Sequence, residues 1–378
     1  MIRKIERLEI CLGERRVGTL VPYETYRTAF QYDKDWLMDG YAINPLQLPL
    51  TEEVFIARYD PFEGLFGTFA DSLPDGWGRL LVDRMLLMQG ERPEQVGNLE
   101  RLSIVGQSGM GAITYHPCMT EDQKEVIRDY DYLAAECGKI LNEQYSDDLD
   151  ALFKLGGSSG GARPKILTQY DGEDWIVKFP SSYDSRQIGE EEYRYSQCAK
   201  KCGIEMPETR LFPSQIGPGY FGVKRFDRDR EAGKVIRHHM LSASALLNTD
   251  FRIPALDYNM LMKLTLLLTD DYGEVWKMFR LMCFNVFAHN RDDHARNFSW
   301  YYDGKTGRWR LTPAYDLTYS HSAFGQHATT VDGNGVDPGI KELLAVAEKS
   351  GLDRKQASGI AQEIRENARV LLKELGRE

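Results

Sequence analysis

The stretch Val275-Trp276-Lys277-Met278-Phe279-Arg280-Leu281-Met282-Cys283-Phe284-Asn285-Val286-Phe287 carries apolar side chains on nearly every side and so predicts a buried helix. Burial of its C-terminal end holds the polar run that follows, Asp292-Asp293-His294-Ala295-Arg296-Asn297, at a fixed place. Two strands are predicted next, Asn297-Phe298-Ser299-Trp300-Tyr301-Tyr302 and Arg308-Trp309-Arg310-Leu311-Thr312, joined by the turn Asp303-Gly304-Lys305-Thr306-Gly307. Thr312-Pro313-Ala314-Tyr315-Asp316 then brings in one more carboxylate. The order helix, polar loop, hairpin, Asp fits the C-terminal lobe of a phosphotransferase and few other folds.

The chemistry agrees with that order. Asp292 has Asn297 five positions on and Asp316 24 positions on, a spacing that suits one base and two metal ligands. Phosphoryl transfer asks little covalent work of a protein; positioning and neutralisation of charge by Mg²⁺ and cations do most of it. Hard Mg²⁺ takes oxygen ligands, which Asn297 and Asp316 supply. Asp292 is placed to accept the proton of an incoming hydroxyl, while His294 and Arg296 shape the loop or meet phosphate. His289-Asn290-Arg291-Asp292 reads as a loosened His-Arg-Asp with one residue inserted. In isolation an Asp-x-x-x-x-Asn is usually a cap or turn pair; the flanking helix and hairpin argue for catalysis.

A nucleotide-holding segment is expected upstream. Leu155-Gly156-Gly157-Ser158-Ser159-Gly160-Gly161-Ala162-Arg163-Pro164-Lys165 has four glycines, whose missing Cβ atoms let backbone N–H groups approach phosphate oxygens. It is not a P-loop, since no Gly-Lys-Ser/Thr closes it, and by composition alone it would read as a flexible linker. However, Lys165-Ile166-Leu167-Thr168-Gln169-Tyr170, a turn, and Trp175-Ile176-Val177-Lys178-Phe179-Pro180 follow, placing Lys178 on the second strand. A Lys there is a solvated edge residue unless a nucleotide lies on its face. The next helix, from Ile188 to Ala199, offers Glu192 as its partner, with Glu190 and Glu191 fitting first-turn acids favoured by the helix dipole. Phe221-Gly222-Val223-Lys224-Arg225-Phe226-Asp227-Arg228 reads as a strand leading to a linker that contacts adenine through its backbone.

Together these pieces resemble the HipA family of bacterial toxin kinases. The resemblance lies in residues 158–165, Ile176 to Pro180, Glu192-Tyr193, Lys224 to Arg228, Asp292 to Ser299 and Leu311 to Asp316. Arg16-Val17-Gly18-Thr19-Leu20 and Phe69-Ala70-Asp71-Ser72-Leu73-Pro74-Asp75-Gly76-Trp77-Gly78 resemble the family's N-terminal phrases. The resemblance implies an α+β, two-lobed, protein-kinase-like fold with an N-terminal strand-rich subdomain and a mostly helical C-lobe. It implies ATP and Mg²⁺ as cofactors, with Asp292, Asn297, Asp316 and Lys178 catalytic and Asn297 and Asp316 holding the metal. Ser159, Gly160, Gly161, Ala162, Arg163, Lys165, Lys178, Glu192, Lys224, Arg225, Phe226, His294, Asn297, Tyr315 and Asp316 are implied nucleotide contacts. Ser158, with Ser159 adjacent, is the implied site of inhibitory autophosphorylation. Arg163-Pro164 stands where the best-known members have Gln-Glu, and Lys224 replaces an acidic hinge residue. The implied partners are the helix-turn-helix antitoxin HipB, through which alone the chain would meet DNA, and a protein substrate, an aminoacyl-tRNA synthetase such as the glutamyl enzyme.

Composition sets bounds on partners and compartment. The chain has 378 residues, with 57 acidic against 47 basic, a net charge of −10; nonspecific DNA binding, which needs clustered cations, is disfavoured. Six cysteines without a Cys-x-x-Cys point to a reducing cytoplasm, and no apolar run approaches a membrane span. The expected divisions are 1–120, an N-terminal subdomain with a helix from Gly76 to Met88; 121–150, an acidic connecting segment; 151–228, a kinase N-lobe; and 229–378, a helical C-lobe. Gly106-Gln107-Ser108-Gly109-Met110-Gly111 lacks the Lys-Ser/Thr of a P-loop and predicts tight turns. Three rival functions are considered. Asp292-x-His294-x-x-Asn297 also resembles small-molecule and lipid kinases. Gly157-Ser158-Ser159-Gly160-Gly161 formally fits the Gly-x-Ser-x-Gly of a serine hydrolase, but such an elbow leads into a helix and here a strand is expected. A nucleotide-binding regulator without turnover is the third.

Overall fold

The computed structural model describes residues 4–119, 129–146, 148–156, 160–231, 233–321 and 325–377. They form two compact units, one made of Met1–Gly189, Leu211–Leu241 and Ala245–Asn248, the other of Glu190–Arg210, Ser242–Ser244 and Thr249–Glu378.

The first unit opens with strands β1 (Leu8–Leu12), β2 (Arg15–Tyr23), β3 (Arg27–Tyr32), β4 (Phe55–Ile56) and β5 (Ile113–His116), which form one antiparallel sheet in the order β4-β3-β2-β1-β5. Alternation sets its buried face on β1, where Leu8 and Ile10 are fully buried; on β2, Val17 and Leu20 are both fully buried across a register bulge that skips Val17 between Ile10 and Cys11. Gly18 permits a close crossing, since a Cβ there would lie 2.4 Å from the Gln31 carbonyl oxygen. Helices α1 (Lys34–Asp39), α2 (Gly67–Ala70), α3 (Gly76–Met88) and α4 (Asn98–Val105) belong to the same unit. Phe30, Trp36, Phe69, Leu102 and Tyr115 share one core beside the sheet. The helix expected from Gly76 to Met88 has those bounds.

The 121–150 segment holds α5 (Tyr130–Leu141), whose Asp129 cap accepts from Tyr132 N at 3.0 Å, and the start of α6 (Leu149–Gly156). A second sheet, with strand order β6-β7-β9-β8, comprises β6 (Lys165–Tyr170), β7 (Glu173–Lys178), β8 (Thr209–Phe212) and β9 (Tyr220–Lys224). Ile166, Val177, Phe179 and Phe212 from this sheet join Trp77 and Leu81 of α3 and Leu152 of α6 in a second core. Helix α7 (Ile188–Lys201) begins in this unit and continues in the other. The strand expected through Arg228 instead ends at Lys224, and β10 (Arg228–Glu231) pairs with β11 (Lys234–Arg237) as a separate ribbon. Arg225, Asp227 and Arg228 turn inward to an ion-pair cluster rather than continuing the ladder. Strand β12 (Met240–Ser242) and helix α8 (Ala243–Leu247) lie where the chain passes between the units.

The second unit is mostly helical. It contains β13 (Leu256–Asp257), α9 (Tyr258–Thr269), α10 (Tyr272–Phe287), the hairpin β14 (Ser299–Asp303) and β15 (Arg308–Leu311), β16 (Thr329–Thr330), α11 (Ile340–Lys349) and α12 (Arg354–Glu374). Asp257, Asp271 and Asp353 cap α9, α10 and α12 through their side chains. Helix α10 buries Val275, Met278, Phe279, Leu281, Met282, Phe284 and Val286, as its all-round apolar pattern requires. Helices α11 and α12 are separated at Gly351, which holds φ at +74°.

Candidate active site

The buried helix α10 ends at Ala288, and the chain then turns at His289 (φ +52°), with Asn290 N donating to the Asn285 carbonyl at 2.9 Å. Asp293, fully buried, anchors the loop that follows: its carboxylate accepts from the Tyr258 hydroxyl at 2.8 Å, contacts His327 Nδ1 at 3.0 Å and accepts Thr329 N–H at 3.2 Å. Asn285 Nδ2 donates to Tyr258 at 2.9 Å and Asn290 Nδ2 to Asn285 Oδ1 at 2.9 Å, which extends the network back into α10. Burial first, and then the Asp293 charge, push the Tyr258 hydroxyl well above its ordinary pKa, so it remains a donor. Its neighbour Asp292 is exposed to solvent.

The rest of the loop is a short 3-10 turn, Ala295–Asn297, whose first N–H groups include Arg296 N, donating to His294 Nδ1 at 3.2 Å. The His294 ring lies 5.2 Å from that of Phe251, and the Arg296 guanidinium 4.6 Å over the same ring. Both side chains thus shape the loop. Asn297 Nδ2 donates to the Asp292 carbonyl at 2.6 Å. That bond fixes the amide nitrogen and so the orientation of the amide. An amide oxygen together with the half-buried Asp316 carboxylate is a donor set that suits Mg²⁺.

Asp316 sits at φ +53°, a left-handed conformation that costs a non-glycine residue energy and marks functional positions. Tyr315 beside it fixes the segment: its hydroxyl donates to the Arg296 carbonyl at 2.7 Å and lies 2.5 Å from the Ser299 hydroxyl. Thr312 N–H donates to the Ser299 carbonyl at 2.9 Å, and Ala314 N–H to that of Glu205 at 2.8 Å. The second unit therefore ties the segments carrying Asp292, Asn297 and Asp316 to one another through Tyr315 and the hairpin. Of the three acids opening α7, Glu190 pairs with Arg194 at 2.6 Å and Glu191 with Arg377 at 2.6 Å, while Glu192 is the buried one, 2% exposed.

In the first unit, Ser158 and Ser159 lie outside the described residues. Gly160 and Ala162 are exposed. Gly161 adopts φ +88° and donates its N–H to Asp75. Arg163 forms a two-pronged pair with Asp184 at 3.1 and 3.2 Å. Burial raises the Asp184 pKa, but two bonds from Ser181 and the Arg163 charge outweigh it and hold the carboxyl below its ordinary value. Lys165, buried, donates to the Gly160 carbonyl at 2.5 Å. Strand β6 leads out of this loop, so the segment is no nucleophile elbow. Lys178 lies opposite Lys165 across the β6–β7 pair, its Nζ 5.5 Å over the Phe221 ring. It and Glu192 belong to different units. Lys224 pairs with Glu173 at 3.1 Å, and Phe226 is half-buried. The Arg225 side chain turns inward, to Asp227 at 2.7 Å and to the Gly109 carbonyl at 3.1 Å. Arg228 and Arg237 also donate to Gly109 and Gly111 carbonyls, so the 106–111 turns form a seat for this cluster.

Two family models match the chain, a HipA-like C-terminal domain over residues 157–371 and a HipA N-terminal domain over residues 8–116. The chain belongs to the HipA family. Its fold is that of the HipA in a Shewanella oneidensis MR-1 HipA, HipB and operator DNA complex, with TM-score 0.71 and 20% identity over 97% of this chain and 90% of that one. The α+β fold expected from the sequence is therefore the one observed. A Helicobacter pylori proinflammatory kinase, CtkA, is more distant, with TM-score 0.38, 13% identity, and 55% and 90% of the two chains covered. No curated protein matches the chain. Among the described residues no helix is long and apolar enough to cross a membrane. Membership of the HipA family leaves several side chains without a sequence-based expectation. Asp75, Tyr258, Asp293 and His327 each act through partners 34 or more positions away, as Asp293 with His327 or Asp75 with Gly161.

Proposed function

We propose that this HipA-family chain is a Mg²⁺- and ATP-dependent serine/threonine protein kinase, the toxin of a HipA/HipB-like pair. The observation that carries the reading is the pair of bonds from Asn297 to the Asp292 carbonyl and from Tyr315 to the Arg296 carbonyl, which fix a solvent-facing carboxylate, an amide oxygen and a second carboxylate within one framework.

In this mechanism Asp292 accepts the proton of a Ser or Thr hydroxyl as its oxygen attacks the γ-phosphorus; the bond to the β–γ bridging oxygen breaks and ADP leaves. Lys178 and the glycine loop from Gly160 to Lys165 hold phosphate oxygens. Asn297 and Asp316 would hold Mg²⁺, which when bound would neutralise phosphate charge. The backbone of 224–226 takes the adenine edge, which leaves the Arg225 side chain to its ion pair. Ser158 or Ser159 is the inhibitory phosphorylation site, and the acceptor to test first is an aminoacyl-tRNA synthetase, the glutamyl enzyme foremost. The partner is a HipB-like helix-turn-helix protein; a HipA of the same fold assembles with HipB and operator DNA, and a net charge of −10 favours reaching DNA through such a partner. The six cysteines are free thiols, which suits a cytoplasmic setting.

Transfer of label from γ-labelled ATP to protein, compared with transfer to small hydroxyl acceptors, tests the assignment. Asp292→Asn should lower protein labelling at least about 1000-fold while leaving the melting temperature unchanged. Undiminished transfer in that variant, or labelling of small acceptors alone, overturns it.

A further inference from the structure

Asp75 stands at the N-cap of α3 with φ −123° and ψ 177°, from where an Asp ordinarily accepts a first-turn helix N–H, yet its side chain makes no cap bond. Its carboxylate accepts the N–H of Gly161 instead. Trp77 is turned the same way: its backbone N–H donates to the Gly161 carbonyl at 2.9 Å and its indole Nε1 to the Lys165 carbonyl at 3.1 Å. Gly161 is thus gripped at both its donor and its acceptor by one tripeptide. The approach requires glycine at the middle position, because a Cβ on Gly76, at φ +42°, would lie 2.4 Å from the Gly161 carbonyl oxygen. Lys165 closes the loop from within through its bond to the Gly160 carbonyl.

We propose that Asp75 is a positioning residue for nucleotide binding, holding the Gly161 peptide so that the 160–165 loop is set before phosphate arrives. This rests on the reading of that loop as the phosphate-binding segment. An unheld glycine-rich loop loses more backbone freedom on binding than any other sequence, and a preformed one avoids that loss. A carboxylate near phosphate also repels it, so the sign of the effect separates positioning from obstruction.

The test is the affinity of the full-length chain for a fluorescent ATP analogue with Mg²⁺, paired with autophosphorylation kinetics. Asp75→Ala should weaken binding and raise the KM for ATP about tenfold, the worth of one charge-assisted hydrogen bond, with kcat at saturating nucleotide within about twofold. Asp75→Asn, which keeps an acceptor oxygen, should restore most of the affinity. Should Asp75→Ala fail to fold, Asp75→Ser, which removes the charge and keeps a short hydroxyl acceptor, decides the matter with an expected weakening of about threefold. Unchanged or tighter binding, or a fall in kcat at constant KM, overturns the positioning role while leaving the kinase reading intact. Wild-type protein that binds no nucleotide sinks both.

Discussion

The Tyr315 hydroxyl donates to the Arg296 carbonyl across 2.7 Å, and so joins the residue before Asp316 to the residue before Asn297. The two expected metal ligands thus depend on one side chain for their common frame. A second contact, 2.5 Å to the Ser299 hydroxyl, holds the ring in place from the hairpin side. Tyr315→Phe keeps the ring and removes both bonds. Phosphotransfer should fall about tenfold, since one well-placed hydrogen bond is worth about 1 to 1.5 kcal/mol, with the loss in kcat rather than in ATP affinity. Steady-state kinetics across ATP concentrations check this, and an unchanged kcat would show that Asp316 is held by other means.

Asp293 is a fully buried polar group under the same loop, and three partners converge on it: Tyr258 of α9, His327, and Thr329 of β16. Its removal leaves buried donors facing no acceptor. Asp293→Ala should cost about 3 kcal/mol, well above a surface substitution. Tyr258→Phe, which deletes one donor and leaves the carboxylate its other partners, should cost about 1 kcal/mol. Denaturant unfolding of the three proteins measures both values; equal stabilities would mean the network relaxes around the loss.

What the sequence made legible was local. Helix α3 begins and ends where Gly76 and Met88 predicted, and the apolar circumference of α10 foretold its burial, because periodicity is written in neighbouring residues. The helical loop, the hairpin and the Asp followed in the expected order. Glu190 pairs with Arg194 one turn on; Glu191, by contrast, takes a partner that no local pattern names, Arg377 at the far end of the chain. Arg225 read as a hinge residue with its side chain unassigned, and the seat it occupies is built from Gly109, more than a hundred positions away. Asp75 stands at the N-cap of α3, and its carboxylate takes the Gly161 N–H, 86 positions away, instead of a first-turn helix N–H. Pairings of that separation have no period or spacing to reveal them.

His239 gives the first unit a titratable weak point. It is 3% exposed, its Nε2 lies 2.7 Å from the Ile43 carbonyl, and the Tyr41 ring packs at 6.0 Å. Burial, partly offset by the Ile43 carbonyl, lowers its pKa from an ordinary 6.5 to about 4. The folded chain therefore keeps the ring neutral where the unfolded chain protonates it. Because the unfolded state binds the extra proton, the contribution of His239 is fully present above pH 6.5 and is lost as pH falls toward 4. From pH 7.5 to pH 5 the loss from this one group should approach about 2 kcal/mol. His239→Gln keeps an N–H donor for Ile43 and does not titrate, so its stability should fall less over the same interval by that amount. Carboxylates elsewhere titrate alike in both proteins and cancel in the difference. Parallel denaturant curves at the two pH values decide it: identical pH dependence in the two proteins would mean that the buried ring is protonated in the folded state as readily as in the unfolded one.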